Sequence, residues 1–256
     1  MANLKLWDIV GELKGPGYEW VDLTHELSPE TPHWFGFAPL QGDLLFDYLE
    51  GTDEEKLAPM RCHQWSVASQ YGTHADVPIH FHAEGRAMNE ITLQELVYPL
   101  VVIDKSKEVA ENPDFVLTVD DLKAWEEEYG RIPEGSFVAF RSDWYKKADL
   151  ENKDENGQPH YPGWDTDAIR WLVEERNIGS IGHEPADTDP ASVTTKEGAY
   201  PYPAEQYILE VDRIQLEVLR NLDQLPPTGA VIVIGFPKLK GGTGFPTRAY
   251  AIYPKE

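Results

Sequence analysis

The chain has 256 residues, 41% hydrophobic and 11% aromatic, enough to build a full core at the upper size of one domain. Its formal charge of −23 argues against nucleic acid and anionic membranes as partners, because phosphate would be repelled. A single cysteine, Cys62, excludes an internal disulfide and a thiolate metal cage. No apolar run opens the chain and no stretch is long enough to cross a bilayer, so a cytoplasmic protein is expected.

Residues 4–14 have helical spacing and predict a short helix within a peripheral N-terminal segment, 1–17. Residues 18–24 read as a strand, with Trp20, Val21 and Leu23 apolar. Residues 61–69 alternate and predict a second strand. Residues 100–104 form a short buried run. Thr118 can cap a helix over 119–129 that Gly130 closes. Residues 136–141 read as a strand. Asp165 can cap a helix over 166–177, with Ile169, Leu172 and Val173 on its apolar face. Residues 178–181, 230–235 and 248–253 supply further strands. Residues 146–163 carry no credible element, which suits either a lid or a plain surface excursion. Several strands follow one another without a helix between them. The pattern predicts an α/β fold, a mixed β-sheet with surrounding helices, in one domain over 1–256. Most of the acidic excess, such as Glu126, Glu127 and Glu128, reads as solvated surface.

Chemistry concentrates in Gln70-Tyr71-Gly72-Thr73-His74-Ala75-Asp76-Val77-Pro78-Ile79-His80. Gly72 and Pro78 resist helix, so the segment should run extended or as a tight loop. In an extended chain His74 and Asp76 point to one side, where one ion can take both. Imidazole with carboxylate suits a divalent metal such as Zn or Mn. Such an ion would also let so acidic a chain hold an acidic substrate or product.

Gly72 to His80 resembles the H-x-G-T-H-x-D-x-P-x-H signature of the metal-dependent cyclase family, which includes bacterial kynurenine formamidases and isatin hydrolases. Three more segments agree in order: Asp22-Leu23-Thr24-His25, Gly182-His183-Glu184-Pro185-Ala186-Asp187-Thr188-Asp189-Pro190, and Glu217-Val218-Leu219-Arg220-Asn221-Leu222. The resemblance implies a swivelling β/β/α type of fold, an oligomer (dimer or tetramer) with its active site near a subunit interface, and a hydrolase that cuts a C–N bond in a small amide or cyclic amide. It implies Mn or Zn as cofactor. It implies His74 and Asp76 as ligands and His80 as the catalytic base, the alternative for His80 being a third ligand. Glu217 is implied as a ligand or as a group that orients one.

Two positions depart from the family pattern. The first histidine of the signature is Gln70 here, which offers a carbonyl oxygen; Gln64 is an alternative. The family histidine twelve residues before the Glu of the last motif is Glu205 here. Oxygen in place of imidazole favours a harder ion, which makes Mn more plausible than an all-His site would, or restricts the site to one metal. His183 and Glu184 read as pocket wall or structural hydrogen-bonding groups. His82 reads as a surface or supporting residue. His25 carries no ligand role that the resemblance can transfer, and His33, His63 and His160 read as surface or core residues. Trp34, Phe35 and Phe37 could stack on a flat substrate or pack on the domain body. Gly241-Gly242-Thr243-Gly244 reads as a tight loop rather than a phosphate loop. Rival readings are a lactone or ester hydrolase using the same site, and a non-catalytic metal- or ligand-binding protein.

Overall fold

The computed structural model describes residues 5–255. Leu4, where the first helix is expected to begin, and the other residues of 1–4 lie outside the described residues. A nine-stranded mixed sheet runs in the order Tyr18–Asp22, Arg248–Pro254, Ala230–Gly235, Val97–Asp104, Phe137–Arg141, Ser180–His183, Ile214–Glu217, His74–Asp76, Gly244–Pro246. Its four central strands, from Val97–Asp104 to Ile214–Glu217, are parallel. Parallel neighbours need long crossovers, and helices Val119–Tyr129, Thr166–Arg176 and Pro203–Glu210 supply them. These helices bury Val101, Ile103, Val138 and Phe140 on one sheet face. The other face carries a second core in which Val21 and Ala251 from one end of the sheet join Ala75 and Val77 from the other. One cluster containing both ends requires the sheet to curl on itself.

The predicted caps form. Thr118 Oγ1 accepts from Asp121 N at 3.4 Å and Asp121 Oδ2 accepts from Thr118 N at 2.9 Å, while Gly130 closes the helix at φ 92°. Asp165 caps Thr166–Arg176, and Asn177 leaves that helix as its left-handed C-cap at φ 48°. The expected 61–69 strand is shorter, Cys62–Ser66, and pairs with Gln41–Phe46 in a hairpin separate from the main sheet. Gln41–Phe46 carries no clear alternation and escapes sequence reading. The 146–163 segment stays irregular but is pinned: Trp144 Nε1 donates to Leu150 O at 2.9 Å, and Leu150 and Tyr161 are buried.

Candidate metal centre

Gly72 adopts φ 63°, a left-handed turn that costs glycine little and feeds the strand His74–Asp76. That strand docks antiparallel on Ile214–Glu217, with His74 opposite Glu217 and Asp76 opposite Gln215. Cross-strand partners share a face. Register alone therefore gathers side chains from the first and last family motifs. Pro78–His80 then forms a single 3₁₀ turn that swings His80 back toward Asp76.

One ligand atom each from His74, Asp76 and Glu217 lies within 4.8 Å of the others, and so does one each from Asp76, His80 and Glu205. Asp76 belongs to both groups. His74 Nε2 is 3.3 Å from Asp76 Oδ2 and 3.5 Å from Glu217 Oε2. His80 Nε2 is 3.8 Å from Asp76 Oδ1 and 3.9 Å from Glu205 Oε1. His74 Nδ1 lies 2.8 Å from Gly72 O, so this nitrogen donates and Nε2 keeps its lone pair for the cluster. Glu205 sits in the first turn of Pro203–Glu210, where Asp189 Oδ1 and Oδ2 accept from Ala204 N at 2.9 Å and Glu205 N at 3.1 Å. Asp189 thus anchors the helix end that presents Glu205.

Sequence reading missed Gln215. It is fully buried, and its Nε2 lies 3.3 Å from Asp76 Oδ2, 3.1 Å from Glu205 Oε1 and 3.2 Å from Glu217 Oε1. Thr188 Oγ1, also missed, lies 2.9 Å from Gln215 Oε1 and 3.0 Å from Glu217 Oε1. The available signal was Gln215's position two residues before Glu217, which puts both on one side of a strand.

The electrostatics of the cluster suit a cation. Burial, and then the neighbouring carboxylates, hold Glu205 and Glu217 well above the ordinary carboxylate range. Burial opposes ionisation of Asp76 as well, but His74 and then His80 outweigh it and bring the group down to about 2. Burial likewise opposes the charge on His74, and Asp76 raises its pKa despite it. Asp76 Oδ1 is buried without a hydrogen-bond partner. A Cβ on Gly244 would stand 2.5 Å from Ala75 O, 2.6 Å from Gln70 Nε2 and 3.0 Å from Asp76 Oδ1, so only a glycine lets the neighbouring strand approach. An imidazole nitrogen, clustered carboxylates and an orphaned carboxylate oxygen fit a divalent cation.

The predicted residues are placed as follows. Gln70 lines a cavity of about 280 Å³ with His74, His80, Glu205 and Glu217. Its Nε2 donates to Thr243 Oγ1 at 3.1 Å, and its Oε1 accepts from Ser69 Oγ. Gln64 is exposed on the hairpin and is not brought to the cluster. Trp34 and Phe37 line the cavity with Phe81 and Tyr202; Phe35 lies in an adjoining one with Leu150 and Glu151. Asp187, part of the Gly182–Pro190 motif but given no role there, lines both cavities and accepts from Tyr161 OH at 3.0 Å. His183 is buried, and burial lowers it to about 3; the neutral ring sits with Nε2 3.2 Å from Glu217 Oε1, which holds that carboxylate in place. His82 and His63 are exposed, His33 stacks on Tyr71 at 4.3 Å, and His160 Nδ1 lies 2.7 Å from Asp114 Oδ2.

Glu184 faces away from this cavity. Its Oε2 accepts from Ser142 N and Oγ, each at 3.0 Å, and from Trp144 N at 2.9 Å. Burial still pushes it up to about 8 from the 4.5 of a free carboxyl. A raised folded pKa means that the folded state holds the proton more tightly. The stabilisation is complete below about 4.5 and is lost as pH climbs through about 8. Glu184→Gln is therefore expected to decline less in denaturation midpoint than the parent across that window. Equal slopes in chemical denaturation at stepped pH would contradict the assignment.

The Cyclase family model matches residues 21–190. Isatin hydrolase of Roseibium aggregatum is 36% identical over 250 residues, covering 93% of this chain and 92% of that one. Kynurenine formamidase of Salinibacter ruber is 25% identical over 231 residues, covering 90% and 95%. Among solved structures, isatin hydrolase A from Labrenzia aggregata bound to benzyl benzoate superposes with a TM-score of 0.87 at 37% identity, covering 98% of this chain and 100% of that one. An isatin hydrolase bound to the product analogue thioisatinate gives 0.88 at 32% identity, covering 100% of both chains. Among the described residues no helix is long and apolar enough to cross a membrane. The motifs that converge on Asp76 thus lie in a chain that matches family relatives over nearly its whole length, and the chain belongs to the Cyclase family.

Proposed function

We propose that this protein is a metal-dependent hydrolase cleaving a C–N bond in a small amide or cyclic amide, arylformamide- or isatin-like. The observation that carries the reading is the unpartnered Asp76 Oδ1, buried beside His74 and His80, which themselves line an aromatic-walled cavity. His74, Asp76 and Glu217 would hold the ion, Mn or Zn, with Gln70 and Glu205 as further oxygen ligands. When bound, the ion supplies Lewis acidity and lowers the pKa of water. His80 takes the proton from the attacking water and returns it to the leaving nitrogen. Imidazole suits both transfers because one ring nitrogen can accept a proton and give it back. Trp34, Phe37, Phe81 and Tyr202 clamp the flat part of the substrate and exclude water. With His80 kept as the base, the second potential ligand group loses its imidazole, which favours one ion per chain. Residues 1–256 are taken as one hydrolase unit of the cytoplasm that works as a homo-oligomer.

Chelation tests this directly. A verified metal-free sample is expected to lose hydrolysis of formyl-amide and isatin-like substrates and to regain it on addition of Mn or Zn, with metal analysis near one ion per chain. Undiminished activity without metal would overturn the proposal. A second reading, ester or lactone hydrolysis by the same groups, is favoured by the ester held in the Labrenzia aggregata structure. Matched amides and lactones assayed in parallel decide between them.

A further inference from the structure

The metal ligands and the base leave a second cavity unused. It encloses about 270 Å³ and meets the first at Trp34, Ala186 and Asp187. Leu150 and Tyr161, 7% and 6% exposed, give it a buried lining, and Trp34 and Phe35 give it aromatic faces. Glu30, Asp149 and Glu151 add three carboxylates, and among the described residues no lysine or arginine lines it.

The acidity of the whole chain does not account for this imbalance. The cavity beside Val102 holds acids as well, but there each meets a cation: Lys105 Nζ lies 2.9 Å from Asp121 Oδ1, and Arg141 Nη1 lies 2.7 Å from Asp104 Oδ2. In the second cavity the charges stay uncompensated. Asp149 Oδ1 accepts from Glu151 N at 3.0 Å, and neither Asp149 nor Glu30 meets a basic side chain among the described residues. Asp187 is 8% exposed. Its Oδ2 accepts from Tyr161 OH at 3.0 Å, while Oδ1 accepts no hydrogen bond from the described residues. A nearly buried carboxyl oxygen that lines a cavity without a partner calls for a donor from a ligand.

The chain itself shows which donor suits the place. Lys153 Nζ stands 5.5 Å from the centre of the Phe35 ring and 2.8 Å from Glu151 Oε2. An ammonium is thus held between an aromatic face and a carboxylate, the pairing by which proteins recognise organic cations. Lys153 is exposed and sits on a flexible stem, so a ligand ammonium can displace it.

We infer that this cavity is a subsite for an ammonium-bearing arm of the substrate, with the aryl amide held in the first cavity and the arm lying past Trp34 against Glu151, Asp149 and Asp187. The subsite presupposes the hydrolase proposed above and specifies its substrate class: an aryl amide with a protonated amine on a side arm. Three carboxylates without a matching cation would repel an anionic arm and leave a neutral one without its strongest contacts.

The test titrates metal-loaded protein by calorimetry with phenethylamine, protonated at neutral pH, and with phenethyl alcohol, its neutral match in shape. The amine is expected to bind at least about tenfold tighter. A protein carrying both Asp149→Asn and Glu151→Gln is expected to lose that preference. One carrying Glu111→Gln and Glu127→Gln, the same change of charge at exposed positions elsewhere, is expected to keep it. Lys153→Met reports from the opposite direction: with the competing ammonium gone, amine affinity is expected to rise about threefold. In turnover, a formanilide with an aminoethyl arm is expected to show a KM at least about tenfold below that of its hydroxyethyl counterpart, and the Asp149, Glu151 variant to raise the first KM while kcat on plain formanilide stays at the parental value. Equal affinity for amine and alcohol, a preference that survives in the Asp149, Glu151 variant, or amine affinity unchanged in Lys153→Met would overturn the subsite. Formanilide hydrolysis that persists beside any of these results would leave the hydrolase proposal standing. Absence of all amide hydrolysis from metal-loaded protein would overturn the hydrolase and, with it, the role of the cavity in holding a substrate.

Discussion

His80→Ala is expected to lose turnover by about 10²–10⁴-fold, the usual worth of a positioned acid–base group, while ligand and metal still bind. The expectation rests on placement. Its Nε2 is 3.8 and 3.9 Å from the nearest carboxylate oxygens, too far for a hydrogen bond, so neither carboxylate ties up the nitrogen. The ring is partly open to the cavity, and its edge-on packing with Phe81, 4.9 Å between centroids, limits its swing. The discriminating measurement pairs kcat with metal content and binding of a product analogue. Full turnover would remove His80 from the mechanism. Loss of metal together with turnover would make it a ligand instead. Retained binding with lost turnover would also dispose of the non-catalytic reading, since a pure binder has no use for the base.

Asp76→Asn is expected to cost more. Asp76 is the residue common to both potential ligand groups, is fully buried, and stays ionised against the burial penalty because His74 and His80 face it. The amide keeps the volume but removes the charge. Changing a group that only supports a metal ligand typically costs 10–100-fold in affinity or activity, so losing a ligand's charge should exceed about 100-fold in metal affinity. Metal titration followed by calorimetry measures this, with near-parental folding by circular dichroism as the control. An Asp76→Asn protein that binds metal with parental affinity would place the ion elsewhere.

The two residues that matter most here were readable one at a time. Period-two geometry puts His74 and Asp76 on one side of any extended segment, and Gly72 marks the turn before them. The caps at Thr118 and Asp165 were equally local, because a capping side chain meets a backbone N–H only two or three residues away. Glu205 and Glu217 were reachable only through the family resemblance; nothing in their own neighbourhoods distinguishes them from solvated acids. Their convergence depends on strand register and on the helix end that Asp189 anchors, contacts between segments far apart in sequence. Gln215 was invisible for the same reason, as was the hairpin strand Gln41–Phe46, while Asp187 and Thr188 lay in a matching motif with no role attached to either. Alternation and capping act over a few residues and are written in the chain itself. Which strand lies beside which is decided by how the whole sheet closes around its cores.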